Sequence, residues 1–141
     1  MLKILVPVDG SDNALRAVAY VISLASNNAS LHCELLHVSQ PFGVREHAWR
    51  SHAELATISG EEAQRALAPA RTALQAAAVP CSEHVAQGEA APQIVAHAVH
   101  AGCDGIVMGM RGVGLVIGPV SLGSVSSRVV HASGLPVTLV K

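Results

Sequence analysis

Short runs of apolar, β-branched residues alternate along the chain with longer stretches whose apolar positions recur every third or fourth residue. Lys3–Val8 is an apolar run broken by Pro7 and ended by Asp9-Gly10-Ser11, the pattern of a buried strand with a turn after it. From Ala14 to Ala25, apolar residues fall at 14/15, 18, 21/22 and 25. That spacing predicts a helix, with Ser11 or Asp12 as N-cap and Asn27-Asn28 as its stop. Leu31–Val38 is β-rich again, and residues 39–52 are polar and irregular, a long connection. From Glu54 to Ala78 the pattern is helical, with Ala63, Leu67, Ala70 and Leu74 on one face. Pro69 is expected to kink or interrupt that helix. Ser82–Ala86 reads as a short strand and Gly88-Glu89 as a turn. Pro92–Ala101 reads as a helix whose apolar face carries Ile94, Val95, Ala98 and Val99. Gly105–Met108 is a buried strand, Ser124–Ala132 a short helix and Pro136–Val140 a last strand.

This order is β-α-β-α-β-α-β-α-β. Continuously apolar strands joined by helices predict an α/β fold, a doubly wound parallel sheet of five strands covered on both faces. No internal repeat and no linker divides residues 1–141, so one domain is expected. Ligands of such sheets bind beyond the carboxyl ends of the strands, where the strand order reverses. The strand ends to examine are therefore Asp9, Val38, Gly88 and Gly109.

The last of these opens a glycine-rich segment. Gly109-Met110-Arg111-Gly112-Val113-Gly114 continues to Gly118 and then to Leu122-Gly123-Ser124-Val125-Ser126. Glycines let backbone N–H groups approach an anion, and the helix beginning at Ser124 offers unpaired N–H groups at its positive dipole end. Ser124 and Ser126 add hydroxyls and Arg111 a fixed charge, a set that suits phosphate. The segment is not a Walker A loop, because Ser124 stands where the lysine belongs. Nor is it a dinucleotide fingerprint, which follows the first strand, where this chain has only Gly10. Asp9 has two readings: a carboxylate that meets a nucleoside or a Mg²⁺-bound water, or a cap for the first helix.

Composition narrows the partners. Apolar residues make up 50% of the chain and charged residues 13%, which excludes a disordered tail and a coiled coil. Net charge is −1 with no basic stripe, and only Tyr20, Phe42 and Trp49 are aromatic, so nucleic acid is excluded as a main partner. No apolar run approaches the roughly 20 residues that span a bilayer, so no membrane partner is expected. The apolar start is too short for a signal peptide and ends at Asp9, so a soluble, cytoplasmic protein is expected. Cys33, Cys81 and Cys103 form no Cys-x-x-Cys pair and read as reduced, buried thiols. Among the eight histidines, His97 and His100 share a helix face with Gln93. No third ligand is evident, so that face reads as solvated rather than metal-binding. His37 reads as a packed or rim histidine at a strand end. Glu61 and Glu62 are neighbours on a helix and point apart. No nucleophile elbow or zinc-protease motif is present.

The opening Ile4-Leu5-Val6-Pro7-Val8-Asp9-Gly10-Ser11 closely resembles that of universal stress protein domains. The resemblance continues through Leu36-His37-Val38, Gly88-Glu89, Asp104–Gly109, Gly123–Val129 and Leu135–Val140, and so covers the whole chain. It implies the strand order 3-2-1-4-5 and a homodimer formed by antiparallel pairing of the fifth strands. ATP-binding members of that family carry a Gly-x-x-Gly followed, after a fixed gap, by Gly-Ser or Gly-Thr. Gly109-x-x-Gly112 and Gly123-Ser124 match, but the gap, residues 113 to 122, is one residue longer and contains Pro119. Position by position, the resemblance implies that Pro7, Val8 and Asp9 line an adenine and ribose site and that Val38 packs on the adenine. It implies that Met108, Gly109, Arg111 and Gly112 approach ribose and phosphates. Gly123, Ser124, Val125 and Ser126 then hold the phosphate chain, and Mg²⁺ is held mainly by the phosphates. The function implied is an ATP-binding stress or signalling protein acting on an unidentified protein partner. The alternatives are a slow ATPase and a nucleotide-free interaction module. An adenylyl transferase is disfavoured, because Asp9-Gly10-Ser11-Asp12 replaces that class's His-x-Gly-His.

Overall fold

The computed structural model describes residues 1–27, 30–110 and 122–141. The expected strands and helices form in the expected order, and one further short helix forms in the connection after the second strand. They are β1 (Leu2–Pro7), α1 (Asp12–Asn27), β2 (Leu31–Ser39), α2 (Val44–Trp49), α3 (His52–Ala76), β3 (Cys81–Gln87), α4 (Ala90–His100), β4 (Gly105–Gly109), α5 (Ser124–Ala132) and β5 (Val137–Val140). All five strands join one sheet, in the order β3-β2-β1-β4-β5, and every pairing is parallel. The register runs Leu2↔Leu31 to Pro7↔Leu36 on one side of β1 and Ile4↔Gly105, Leu5↔Ile106 on the other. Pro7 cannot donate to a ladder and sits at the strand's last position, where that costs least.

Each face of the sheet has its own core. Ile4, Val6 and Val8 of the first strand and its exit, with Leu31, Cys33 and Leu35 of β2, pack against Ala17, Val18 and Val21 of α1 and Leu67, Ala70 and Leu74 of α3. Leu5, Leu36, Ile106 and Met108 pack on the opposite face against Ala91, Ile94 and Ala98 of α4 and Val129 of α5. The period-2 alternation of the strands sends successive side chains into the two cores. On α4, Val99 departs from the expected apolar face and is 65% exposed. Ala91, Ile94 and Ala98 already define the stripe that meets the sheet, and Val99 lies about 100° beyond Ala98. No helix among the described residues is long and apolar enough to cross a membrane.

Two stretches differ from the sequence expectation. The connection at 39–52 contains α2, a helix with no buried residue, so no apolar period announced it. It leads into a capping box. The Ser51 hydroxyl accepts from the Glu54 N–H at 3.2 Å, and the Glu54 carboxylate accepts from the Ser51 N–H at 3.3 Å. α3 then runs through Pro69 without interruption. Pro69 is exposed, so the Arg65 carbonyl that loses its partner faces the solvent side. Buried Ala66, Leu67, Ala70 and Leu74 hold the helix to the sheet on the other side.

The three cysteines are free thiols, as expected. Cys33 and Cys103 are buried and Cys81 is half-buried. Burial, foremost, pushes Cys33 up to about 12 and Cys103 to about 11, so both stay protonated and unreactive.

If helix packing overrides the proline in this way, Pro69→Ala restores a helical N–H and stabilises the protein. The expected gain is about 1–3 kcal/mol, the helix-interior preference less the proline's effect on the unfolded chain. Urea unfolding measures it, and an unchanged or lowered midpoint contradicts the account.

Candidate functional site

The strand order reverses at β1, whose neighbours β2 and β4 lead away in opposite directions, and a cleft of about 560 Å³ opens at the strands' carboxyl ends. The end of β1 contributes Pro7, Val8 and Asp9, β2 contributes Val38, and β4 contributes Met108 and Gly109. The start of α5 contributes Gly123, Ser124, Val125 and Ser126. Every described residue of the expected set is thus brought to one cleft. Arg111 and Gly112 lie outside the described residues. Gly88, the remaining strand end, is not part of the lining; its N–H donates to the Ser39 carbonyl at 3.0 Å, closing the turn after β3.

The first turn is built around Asp9. Its Oδ1 accepts from the Ser11 N–H at 3.0 Å and from the Ser11 hydroxyl at 2.6 Å. The Ser11 oxygen in turn accepts from the Ala14 N–H at 3.2 Å. Ser11 is therefore the N-cap of α1, and Asp9 fixes the cap from two residues upstream through an Asx turn. Gly10, at φ +86°, makes the left-handed turn between them. Asp9 itself is exposed, on the cleft wall.

His37 locks the neighbouring strand end. Its Nδ1 lies 2.8 Å from the Val8 carbonyl, which only accepts, so Nδ1 carries the proton. The ring is buried, as a packed histidine should be, and a second bond joins the Val8 N–H to the Leu36 carbonyl at 2.8 Å. The backbone preceding Asp9 is thus held from β2 on both its polar groups.

At the other wall, the N-cap of α5 is Gly123, which makes no side-chain cap bond. The N–H groups of Ser124, Val125 and Ser126 have no intrahelical carbonyl to meet. The Ser126 hydroxyl donates to the Gly109 carbonyl at 2.8 Å, and the residue is only 3% exposed. Its proton is spent on tying α5 to β4. What Ser126 offers an anion is therefore its backbone N–H, not the hydroxyl donor that the sequence suggested. Ser124 is exposed and lines the cleft.

Sequence reasoning did not name Ser11, Gln40, Glu62 and Ile94 as lining residues, though they also line the cleft. Glu62 reaches it from α3, so the Glu61-Glu62 pair does point apart, with one member at the site. Among the described lining residues there is no lysine or arginine. Two carboxylates, Asp9 and Glu62, stand there beside the positive end of α5.

The model of the Universal stress protein family matches residues 1–141. The chain belongs to the universal stress protein family. Universal stress protein MJ0531 of Methanocaldococcus jannaschii is 34% identical over 99% of this chain and 81% of its own length. The solved structure of hypothetical protein MJ0577 superposes with a TM-score of 0.83 at 29% identity, covering 99% of this chain and 94% of that one. The universal stress protein from Archaeoglobus fulgidus, solved in complex with dAMP, has a TM-score of 0.71 at 23% identity, covering 100% and 98%. The five-stranded sheet with flanking helices is the α/β fold of these universal stress proteins.

Close packing at the cleft floor is testable. A Cβ built on Gly109 falls against the Asn13 side-chain oxygen and 2.9 Å from the Asn13 backbone carbonyl. Backbone cannot swing aside, so Gly109→Ala must shift the first turn of α1. The expected loss is about 1–3 kcal/mol, as for overpacking. Chemical denaturation of the apo protein reads it, and wild-type stability contradicts the packing described.

Proposed function

We propose that the chain is an ATP-binding universal stress protein whose homodimer responds to the nucleotide. The observation that carries this reading is the convergence of Pro7–Asp9, Val38, Met108–Gly109 and Gly123–Ser126 on one cleft at the sheet's reversal point. Universal stress proteins of the same fold are described in complex with dAMP and cAMP and with AMP bound, which supports a nucleotide as the ligand.

In this reading Val38, with Pro7 and Val8, receives the adenine. Asp9 receives the ribose or a magnesium-bound water. Met108, Gly109, Arg111 and Gly112 approach ribose and phosphates. Gly123, Ser124, Val125 and Ser126 hold the phosphate chain: the N–H groups of Ser124 to Ser126 face it, and Gly123, whose own N–H goes to the Met110 carbonyl at 2.7 Å, is an N-cap without a side chain that leaves them open to an anion. Mg²⁺ is held mainly by the phosphates, and its charge offsets Asp9 and Glu62. A nucleotide changes the dimer only by binding its two conformations unequally. A second reading, a nucleotide-free interaction module, is favoured by the one extra residue between Gly112 and Gly123. Residues 1–141 act in this reading as a single universal stress protein domain.

Calorimetric titration with Mg²⁺-ATP tests the ligand. Asp9→Asn is expected to weaken binding by about 1–2 kcal/mol, the value of a hydrogen bond to a charged group. Its amide oxygen still accepts from Ser11, so the apo melting temperature stays where it was. Unaltered affinity together with a lowered apo melting temperature returns Asp9 to a purely structural role. Absence of ATP binding by the native protein at millimolar concentration removes the nucleotide reading.

The dimer rests on β5. Among the described residues this strand pairs only with β4, so its outer backbone edge is unpaired, and Val137, Leu139 and Val140 on its two faces are only half-buried, an apolar edge strand of the kind that takes up another strand. Light scattering at micromolar concentration is expected to give twice the 14.5 kDa chain mass. A monomer mass contradicts the assembly.

A further inference from the structure

Away from the cleft, the middle of β2 buries a carboxylate. Glu34 pairs in register with Leu5 and Ser82, and its side chain is only 6% exposed. It lies about 13 Å along the strand from Val38, at about 3.3 Å per residue. A buried carboxylate needs a positive partner. No lysine or arginine pairs with Glu34 among the described residues; histidines surround it instead.

His84 of β3 brings Nε2 to 2.6 Å from Glu34 Oε2, and His97 of α4 brings Nε2 to 3.9 Å from the same oxygen. His97, expected on a solvated face, has a side chain only 18% exposed and turned onto this carboxylate. Glu34 Oε2 and His97 Nε2 are both buried and have no hydrogen-bond partner among the described residues. The close approach of His84 therefore lacks hydrogen-bond alignment. Three ligand atoms, one oxygen and two imidazole nitrogens, lie within 4.8 Å of one another. The two rings are tilted by 49° at a centroid distance of 4.6 Å rather than stacked face to face.

We propose that Glu34, His84 and His97 bind one divalent transition-metal ion of the zinc class between β2, β3 and α4. Two imidazoles and one carboxylate are a three-residue ligand set that leaves a fourth tetrahedral position for water. Around an ion with bonds of about 2.0–2.1 Å, ligand atoms stand about 3.3 Å apart, so the observed 2.6 and 3.9 Å bracket the required spacing. His84, with a side chain 42% exposed, opens the site to solvent and can adjust. His32 Nε2 hydrogen-bonds with the Ser82 hydroxyl at 2.9 Å and lies 3.4 Å from Glu34 Oε1. The site uses none of the residues assigned to the nucleotide, so the two proposals stand or fall separately.

The test is titration of the EDTA-stripped full chain with ZnCl₂ by calorimetry and with CoCl₂ by visible absorption. One ion per chain is expected, with Zn²⁺ affinity in the micromolar range or tighter and Co²⁺ bands typical of a four- or five-coordinate site. Outer-shell changes alone cost about 10–100-fold in metal affinity, so His84→Gln and His97→Gln should each cost at least about tenfold. Glu34→Gln should do the same. His84 is exposed on the edge strand, so its variant keeps the test open even where a change at Glu34 impairs folding. The doubly substituted His47→Gln, His52→Gln chain, which lacks another adjacent histidine pair, should bind as the native protein does. No zinc binding at 100 micromolar (on the order of a weak surface site), native affinity in both the His84 and His97 variants, or loss of binding in the His47/His52 variant overturns the proposal.

Discussion

The first strand is covered on both faces, and that burial organises everything around it. Ile4, Val6 and Val8 go under α1 and α3, while Leu5 goes under α4. Leu5 and Val6 are wholly withdrawn from solvent. A strand apolar on both sides needs helices above and below it, and right-handed crossovers supply them only if the chain winds outward from β1 in two directions. The order β3-β2-β1-β4-β5 is the result. The cleft is its by-product, because the connections on the two sides of β1 leave on opposite faces and part above its carboxyl end.

Polar chemistry then collects where the strands stop. Asp9 emerges from the buried strand and at once organises the cap of α1 through Ser11. His37 and Leu36 hold Val8 in place. Ser126 ties α5 to Gly109, and Gly109 has no side chain because α1 comes too near. Each of these contacts stabilises the fold and shapes the cleft at once. Mutations there are therefore best read with an apo stability measurement beside every binding measurement.

Much of this was legible in the chain. Periodicity located all five strands, and the strand-end rule pointed to Asp9, Val38 and Gly109. The missed features share a cause: they come from tertiary proximity or from surface helices. α2 buries nothing, so it has no hydrophobic period to read. Ser51-x-x-Glu54 did carry a capping-box signature and marked the true start of α3. Pro69 misled because local propensity ignores packing; the buried face of α3 outweighs one missing bond on its exposed side. Glu62 and Gln40 join the cleft only through folding. Glu34, His84 and His97 come from three separate elements and match no spacing motif, so the sequence placed His97 on a solvated face rather than in a ligand set.

In the proposed function the reversal-point cleft, with the amides at the start of α5, receives a nucleotide. The most direct measurement is an amide-resolved NMR titration of the native chain with Mg²⁺-ATP. The largest shifts are expected on Asp9, Val38, Gly109 and Gly123 through Ser126, with little change on Ser82 and Gly102 away from the cleft. Saturating ATP that moves none of these amides, or moves a different surface instead, contradicts it.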